Sequence, residues 1–88
     1  MKYVLITGVS SGIGYDAVRF LTKKGYHVFG SVRKDSDKSR LESDFPENFT
    51  CLIFDVTQKE QIDAAFEQVK KILNGSSLYA LVNNAGFS

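Results

Sequence analysis

The chain of 88 residues is long enough for one small domain with a modest hydrophobic core. Apolar residues make up 43% of it and charged residues 24%, proportions that are typical of folded domains and argue against disorder. Lys and Arg number 11 against 10 Asp and Glu, and this net charge of +1 argues against a nucleic acid or an anionic membrane as partner. No apolar run approaches the ~20 residues that span a bilayer, and a single cysteine cannot form an internal disulfide. We therefore expect a reduced, cytoplasmic protein.

The first part of the sequence alternates between strand and helix patterns. An apolar, β-branched run at 2–7 predicts a buried strand that ends at a glycine. From Gly12 the apolar residues recur with helical spacing, and Gly25 ends the predicted helix. The apolar face of this helix consists of Ile13, Ala17, Phe20 and Leu21. Tyr15 is predicted to point away from that face, and residues 26–32 are predicted to form the second strand.

Two further helices and a strand are predicted in the middle of the sequence. Residues 35–43 predict a short, mostly exposed helix that ends before Pro46, because the residue before a proline disfavours helical backbone. The apolar run at 49–54 predicts the third strand. Thr57 and Glu60 have the spacing of a capping box, in which the threonine hydroxyl accepts a hydrogen bond from the glutamate N–H. The apolar face of the helix that follows consists of Ile62, Ala65, Phe66, Val69, Ile72 and Leu73.

A fourth strand is predicted at 78–82 and completes the pattern. Continuous apolar strands that alternate with helices indicate an α/β fold with a parallel sheet covered on both faces. We expect a three-layer α-β-α Rossmann-type half-domain whose sheet of about four strands has the order 3-2-1-4. The sequence stops just after a strand that would be central, so we expect residues 1–88 to be one truncated Rossmann-type domain. Its fourth strand would have an unpaired edge that self-associates or pairs with the missing half of a parent protein.

The strongest chemical signal is a glycine-rich loop. Positions 7–14 read Thr-Gly-Val-Ser-Ser-Gly-Ile-Gly, between the first predicted strand and the first predicted helix. Gly8 permits a tight turn, Gly12 lets a pyrophosphate approach the main chain, and Gly14 lets the helix pack closely. The helix N-terminus favours such an anion, and the two serines add hydroxyl donors. The alternative is an ordinary Gly/Ser turn without a ligand, whereas a P-loop is excluded because no Lys-Ser or Lys-Thr follows the last glycine.

Three motifs together resemble the short-chain dehydrogenase/reductase family. They are the glycine pattern after the first strand, Asp55-Val56 after the third and Asn83-Asn84-Ala85-Gly86 after the fourth. The resemblance implies that the pyrophosphate and ribose of a dinucleotide are lined by Gly8, Ser10, Ser11, Gly12, Ile13 and Gly14. It also implies an adenine contact at Asp55 with the Val56 backbone beside it, and a cofactor cleft lined by Asn83, Ala85 and Gly86. The alternatives are that Asp55 only leads into the next helix and that the two asparagines only hold the strand ends.

The end of the second strand bears on the choice between NAD and NADP. An NAD site usually has an acidic residue there to hold the ribose 2′-hydroxyl, whereas this chain has Ser31 and Val32 followed by Arg33 and Lys34. A guanidinium suits the 2′-phosphate of NADP. We therefore predict NADP, with Arg33 as the principal contact, Ser31 as a further hydroxyl donor and Lys34 as a weaker contact. NAD is the less favoured cofactor. The alternative is that Arg33 and Lys34 are solvated surface charges.

The chemistry of the family depends on residues that this sequence lacks. The resemblance implies hydride transfer between nicotinamide and a carbonyl or alcohol, with a Ser and a Tyr-x-x-x-Lys pair as catalytic groups, and no Tyr-x-x-x-Lys occurs here. We therefore predict the cofactor-binding part of an NADP(H)-dependent short-chain oxidoreductase, with no catalytic residue and no metal site. His27 is expected to be structural. The alternative is a nucleotide-binding or interaction module without catalysis.

Overall fold

A computed structural model describes residues 1–84, which form a four-stranded parallel sheet and three helices. The strands are β1 (Tyr3–Ile6), β2 (His27–Val32), β3 (Phe49–Ile53) and β4 (Leu78–Val82). The helices are α1 (Gly12–Lys23), α2 (Asp35–Asp44) and α3 (Lys59–Leu73), and none of these is long and apolar enough to cross a membrane. The sheet has the order β3-β2-β1-β4, with each neighbouring pair parallel. This confirms the predicted α/β class, the Rossmann-type half-domain and the strand order 3-2-1-4.

Each face of the sheet has its own hydrophobic cluster, because alternate residues of a strand point to opposite faces. On one face, Val4 and Ile6 belong to a cluster with Val18 of α1 and Leu41 of α2. On the other face, the cluster consists of Leu5, Phe29, Leu52, Phe54, Ala65 and Val69, of which the last two lie on α3. The sheet is therefore the middle of three layers, as its continuous apolar strands require.

The parallel pairing brings the carboxyl ends of the strands to one edge of the sheet. Ile6 at the end of β1 is paired with Gly30 of β2 on one side and with Val82 of β4 on the other. The N–H of Thr7 then donates to the carbonyl oxygen of Val82 at 3.0 Å. The strand order reverses at β1, since the chain continues to β2 and β3 on one side and returns to β4 on the other. Ligands of open α/β sheets bind in the crevice at such a reversal.

The buried side of α1 differs from the prediction. Ile13 and Phe20, which the periodicity places on the apolar face, are 81% and 61% exposed, whereas Gly14 and Val18 are buried. A Cβ at Gly14 would collide with the carbonyl oxygen of Gly8, so the helix approaches its neighbour along a side that lacks a side chain. Because Gly14 has no apolar side chain, the spacing of apolar residues does not mark its side of α1 as buried. The periodicity therefore predicts the wrong buried side for this helix.

The start of α3 also differs from the prediction, and the capping box is wrong. The helix begins at Lys59, and its N-cap residue Gln58 makes no side-chain capping hydrogen bond. Thr57 instead donates its N–H and its hydroxyl to Oδ1 of Asp55, at 2.9 and 2.7 Å. A carboxylate accepts charge-assisted hydrogen bonds, which are stronger than a neutral capping bond. This preference turns Thr57 back towards β3 and away from the helix.

Strand β4 lies at the edge of the described sheet and presents apolar side chains. Its partner in residues 1–84 is β1, and its residues Tyr79 and Leu81 are 60% and 58% exposed. Phe66 and Ile72 of α3, which the sequence places on the apolar face of that helix, are also exposed. An apolar strand with an open edge is a surface on which other strands pair.

We predict that Leu41→Ala lowers the free energy of unfolding by about 2–5 kcal/mol, because it removes a fully buried side chain that holds α2 on the sheet. Chemical denaturation followed by circular dichroism measures the change. Ser39→Ala is a matched control on the same helix, since Ser39 is exposed and its replacement should change stability by less than about 0.5 kcal/mol. Equal stability of the two variants would show that Leu41 does not hold the helix.

Candidate functional site

The loop after β1 turns tightly and packs closely against α1. Gly8 and Gly12 have φ angles of 70° and 63°, in the left-handed region that favours glycine. A Cβ at Gly14 would collide with the carbonyl oxygen of Gly8 and would lie 2.8 Å from Nδ2 of Asn84. The turn therefore needs a glycine at position 8, and the close approach of the helix needs one at position 14.

The outer side of the loop presents hydrogen-bond donors to open space. Ser11 precedes α1 in an extended conformation, and its side chain makes no capping hydrogen bond. Within residues 1–84, the N–H groups of Ser11, Gly12 and Ile13 have no hydrogen-bond partner. A Cβ at Gly12 would meet no atom of the described residues within 4 Å, so none of them blocks the approach to these donors. Free N–H groups at the positive end of a helix dipole fit a diphosphate group.

Ser31 lies beneath the loop rather than on its outer side. The residue is buried, and its Oγ accepts a hydrogen bond from the N–H of Gly8 at 3.0 Å. Its carbonyl oxygen accepts from the N–H of Val9, also at 3.0 Å. The preceding Gly30 makes room for this contact, since a Cβ there would lie 2.7 Å from side-chain atoms of Val9 and Phe49. Ser31 therefore holds the first turn of the loop, a role that the sequence does not predict.

Asn83 and Asn84, which follow β4, hold the loop from the other side. Oγ1 of Thr7 donates to Oδ1 of Asn83 at 3.1 Å and accepts from the N–H of Asn84 at 2.9 Å. Nδ2 of Asn84 donates to the carbonyl oxygen of Gly8 at 2.9 Å. These contacts are the ones expected if the asparagines hold the strand ends. The other predicted cleft residues, Ala85 and Gly86, lie outside the described residues.

Arg33 and Asp55 lie side by side after β2 and β3. Nη2 of Arg33 is 3.5 Å from Oδ2 of Asp55, and the arginine side chain is 77% exposed. Oδ1 of the same carboxylate accepts hydrogen bonds from the N–H and the hydroxyl of Thr57. These two hydrogen bonds, with a smaller contribution from Arg33, lower the pKa of Asp55 below its ordinary value. The residues predicted to contact adenine and the 2′-phosphate are thus neighbours, while Val56 packs against the cluster on the α3 face.

Arg40 reaches the glycine loop from α2, a contact that no motif of the sequence indicates. Its Nη2 donates to the carbonyl oxygen of Ser10 at 2.6 Å. The guanidinium also lies 3.3 Å from Oδ1 of Asp37 and 4.0 Å from Oδ2 of Asp44. The sequence shows only that Arg40 has an acidic residue three positions before it and another four positions after it. Such spacing is typical of any exposed helix face and does not point to the loop. The loop residue that Arg40 contacts is 30 positions away in the sequence.

Tyr15 connects α1 to the same part of α2. Its hydroxyl donates to Oδ2 of Asp44 at 2.8 Å, and its ring lies against that of Phe45 with the centroids 5.1 Å apart. The prediction that Tyr15 points away from the apolar face of α1 is wrong, because Tyr15 packs against the same hydrophobic cluster as Ala17 and Leu21 of that face. The contact of Gly14 with the loop turns position 15 towards α2, so that α2 packs on α1 as well as on the sheet.

His27 is half-buried at the start of β2, whereas Cys51 is buried on β3. Nε2 of His27, at the start of β2, lies 2.8 Å from Oγ1 of Thr50, and burial lowers its pKa. Burial also raises the pKa of the Cys51 thiol to about 11. His27 is thus engaged with the neighbouring strand β3, and Cys51 packs in the cluster on the α1 and α2 face. In the part of the chain that the structure describes, no group of three or more His, Cys, Asp or Glu side chains is placed to hold a metal ion.

Known proteins resemble this chain in sequence and in fold. A family model described as short chain dehydrogenase matches residues 2–88. The NADPH-dependent 3-dehydrocapnine reductase of Ornithobacterium rhinotracheale is 44% identical over 86 residues, which are 98% of this chain and 30% of that protein. The NADPH-bound carbonyl reductase from chicken fatty liver is similar with a TM-score of 0.85 and 32% identity, over 100% of this chain and 35% of its own. The structure of ElxO with NADP bound is similar with a TM-score of 0.84 and 34% identity, over 99% of this chain and 36% of the ElxO chain. The chain thus spans between 30% and 36% of the length of these proteins.

We predict that Thr57→Val raises the pKa of Asp55 towards its ordinary value, because the variant lacks the hydroxyl that donates to Oδ1. A carbon-13 NMR titration of this carboxyl measures the change. A folded pKa below the unfolded value means that ionised Asp55 stabilises the fold above about pH 4 and that this contribution is lost as the pH falls further. Thr57→Val should therefore lose less stability on acidification than the wild type.

The matched control for this titration is Thr22→Val. The Thr22 hydroxyl donates within α1 to the carbonyl oxygen of Val18 at 2.8 Å, so its removal should leave the titration of Asp55 as it is in the wild type. If Thr57→Val and Thr22→Val give the same pKa for Asp55, the Thr57 hydroxyl is not a cause of the shift.

Proposed function

The chain belongs to the short chain dehydrogenase family, and on that premise we propose that it is the cofactor-binding part of an NADP(H)-dependent oxidoreductase. Bound NADP(H) would supply hydride exchange with a carbonyl or alcohol substrate. The observation that supports this function most directly is the loop after β1. There, within residues 1–84, the N–H groups at the start of α1 have no partner and no atom lies close in front of Gly12, which leaves room for a diphosphate group.

The pyrophosphate is assigned to this loop, and the ribose side of the cleft to residues after β4. The residues that line the pyrophosphate and ribose are Gly8, Ser10, Ser11, Gly12, Ile13 and Gly14. Ser11 is a hydroxyl donor in this assignment, because its side chain is not used to cap α1. The cleft residues are Asn83, Ala85 and Gly86, which follow the strand beside the reversal of strand order.

The 2′-phosphate of NADP is assigned to Arg33. Its exposed guanidinium is 3.5 Å from Asp55, which is long for a charge-assisted hydrogen bond. A phosphate carries more negative charge than a carboxylate and suits the planar guanidinium, so it can take the place of Asp55. Asp55 is then available to accept from the adenine amino group, with the Val56 backbone beside it. The relatives and neighbours named for NADPH or NADP support NADP over NAD.

Ser31 contributes to this site indirectly. Its buried hydroxyl accepts from the N–H of Gly8 and so fixes the turn from which the phosphate-binding loop begins. Residues 1–88 contain no Tyr-x-x-x-Lys pair, so we assign the proton-transferring groups to other residues of the protein. Residues 1–88 alone are proposed to bind the cofactor without turnover.

We predict that 2′-phospho-ADP-ribose binds more tightly than ADP-ribose and that Arg33→Ala removes this preference while leaving the affinity for ADP-ribose unchanged. Loss of one guanidinium–phosphate contact should weaken binding of the phosphorylated ligand by about ten- to a hundred-fold. Isothermal titration calorimetry on the intact protein measures both ligands. Arg19→Ala is the matched control, since it removes the same charge from an exposed position of α1 and should change neither affinity.

Two results would contradict different parts of this proposal. Equal affinity of the wild type for the two ligands would contradict the preference for NADP and the role of Arg33. A folded wild-type protein that binds neither ligand would contradict the dinucleotide site itself.

We also propose that the edge of β4 is covered by another strand, supplied by the remainder of the protein or by a second copy of this chain. Within residues 1–84, β4 pairs with β1 on one side, and the apolar side chains of Tyr79 and Leu81 are exposed. Pairing with a further strand would satisfy the main-chain groups of the open edge and bury these side chains.

We predict that residues 1–88 alone self-associate at high concentration and that Leu81→Lys weakens the association, because a charge on the exposed strand opposes its burial. Sedimentation velocity measures the distribution of species. Phe20→Lys is the matched control, since Phe20 is an apolar residue of similar exposure on α1 and its replacement should leave the association unchanged. A monomer at every concentration would contradict pairing between copies of this chain.

A further inference from the structure

We propose that Arg40 is a positioning residue of the dinucleotide site, which holds the peptide between Ser10 and Ser11 in the orientation that the phosphates require. This inference rests on the function proposed above and adds to that site a residue outside its three sequence motifs. Arg40 lies on α2, a helix that the sequence predicts to be mostly exposed, and its side chain reaches back to the loop after β1.

The guanidinium of Arg40 is held in place by two carboxylates of its own helix and by the Tyr15 ring of α1, whose centroid lies 6.0 Å from it. Nη2 is 3.3 Å from Oδ1 of Asp37, and Nη1 is 4.0 Å from Oδ2 of Asp44. Asp44 is itself fixed by the Tyr15 hydroxyl, which donates to the same oxygen at 2.8 Å. A guanidinium has five N–H donors in one plane, so it can contact both carboxylates and still donate to the carbonyl oxygen of Ser10 at 2.6 Å.

Because the peptide bond is planar, the hydrogen bond from Arg40 to the Ser10 carbonyl oxygen also fixes the direction of the Ser11 N–H. In residues 1–84 no peptide bond is cis, and in a trans peptide the carbonyl oxygen and the following N–H point in opposite directions. With the carbonyl of Ser10 directed at Arg40, the N–H of Ser11 points away from α2. That N–H has no partner among the described residues. A reversed peptide would place the carbonyl dipole where the N–H now is, and it would repel a phosphate there.

The surroundings of Arg40 distinguish it from Arg33. Two carboxylates lie within 4.0 Å of the Arg40 guanidinium, so its positive charge is largely balanced before any ligand binds. The Arg33 side chain is 77% exposed, and its carboxylate partner within residues 1–84 is Asp55 at 3.5 Å. The geometry therefore assigns direct phosphate contact to Arg33, whereas Arg40 acts through the main chain of the loop. A residue that acts through the loop affects every ligand that has a pyrophosphate, with or without the 2′-phosphate.

The test compares Arg40→Ala with the wild type by calorimetric titration of the intact protein with ADP-ribose and 2′-phospho-ADP-ribose. We expect both affinities to fall by the same factor, about five- to twenty-fold, because one hydrogen bond to a charged donor is lost. The ratio of the two affinities should stay at its wild-type value. Arg40→Lys should recover part of the loss, since an ammonium group can donate to the carbonyl of Ser10. Lys71→Ala removes a positive charge from an exposed position of α3 and should change neither affinity.

A second measurement needs no ligand. Nitrogen-15 relaxation of the free protein should show lower order parameters at Ser10, Ser11 and Gly12 in Arg40→Ala than in the wild type, because the peptide loses its partner. Unchanged affinities would overturn the role of Arg40 in binding, whatever the order parameters show. A loss confined to 2′-phospho-ADP-ribose would also overturn it, because it would make Arg40 a direct phosphate ligand. A wild type that binds neither ligand would instead overturn the proposed function.

Discussion

The main chain at Gly8 is hydrogen-bonded from both sides. Oγ of Ser31, on β2, accepts its N–H, and Nδ2 of Asn84, which follows β4, donates to its carbonyl oxygen. This is possible because the strand order places β1 between those two strands. Gly14 packs against the same carbonyl oxygen, which sets the direction and the rotation of α1. The open donors at the start of the helix and the contact of Tyr15 with α2 both follow from this arrangement.

Most of the fold could be predicted from the sequence, because it depends on local patterns. The strands are short, largely apolar segments between turns, and right-handed crossovers between parallel strands allow few orders. The errors fall where the decisive contact has no local signal. Gly14 fixes the buried side of α1 without adding to its apolar pattern, so Ile13 and Phe20 are exposed against expectation. Thr57 has the spacing of a helix cap but bonds to the carboxylate of Asp55.

The candidate site is less predictable than the fold, because several of its contacts join residues that are distant in sequence. Arg33 could be found because it follows a strand whose carboxyl end faces the ligand crevice. Arg40 lies among acidic residues on a polar helix, and the burial of Leu41 beside it is what brings α2 against the loop. The separation between Ser31 and Gly8 is 23 positions, so their contact is visible only once the strand order is known.

The burial of Cys51 has a consequence for how this protein responds to thiol reagents. Thiolates are the reactive form, and with a pKa of about 11 only about one such thiol in ten thousand is ionised at neutral pH. Cys51 lies on β3, at one end of the strand order, in the cluster to which α2 contributes Leu41. Alkylation therefore requires this end of the sheet to open, and its rate records how often that happens. Since the chain has one cysteine, any alkylation by a thiol reagent reports on Cys51.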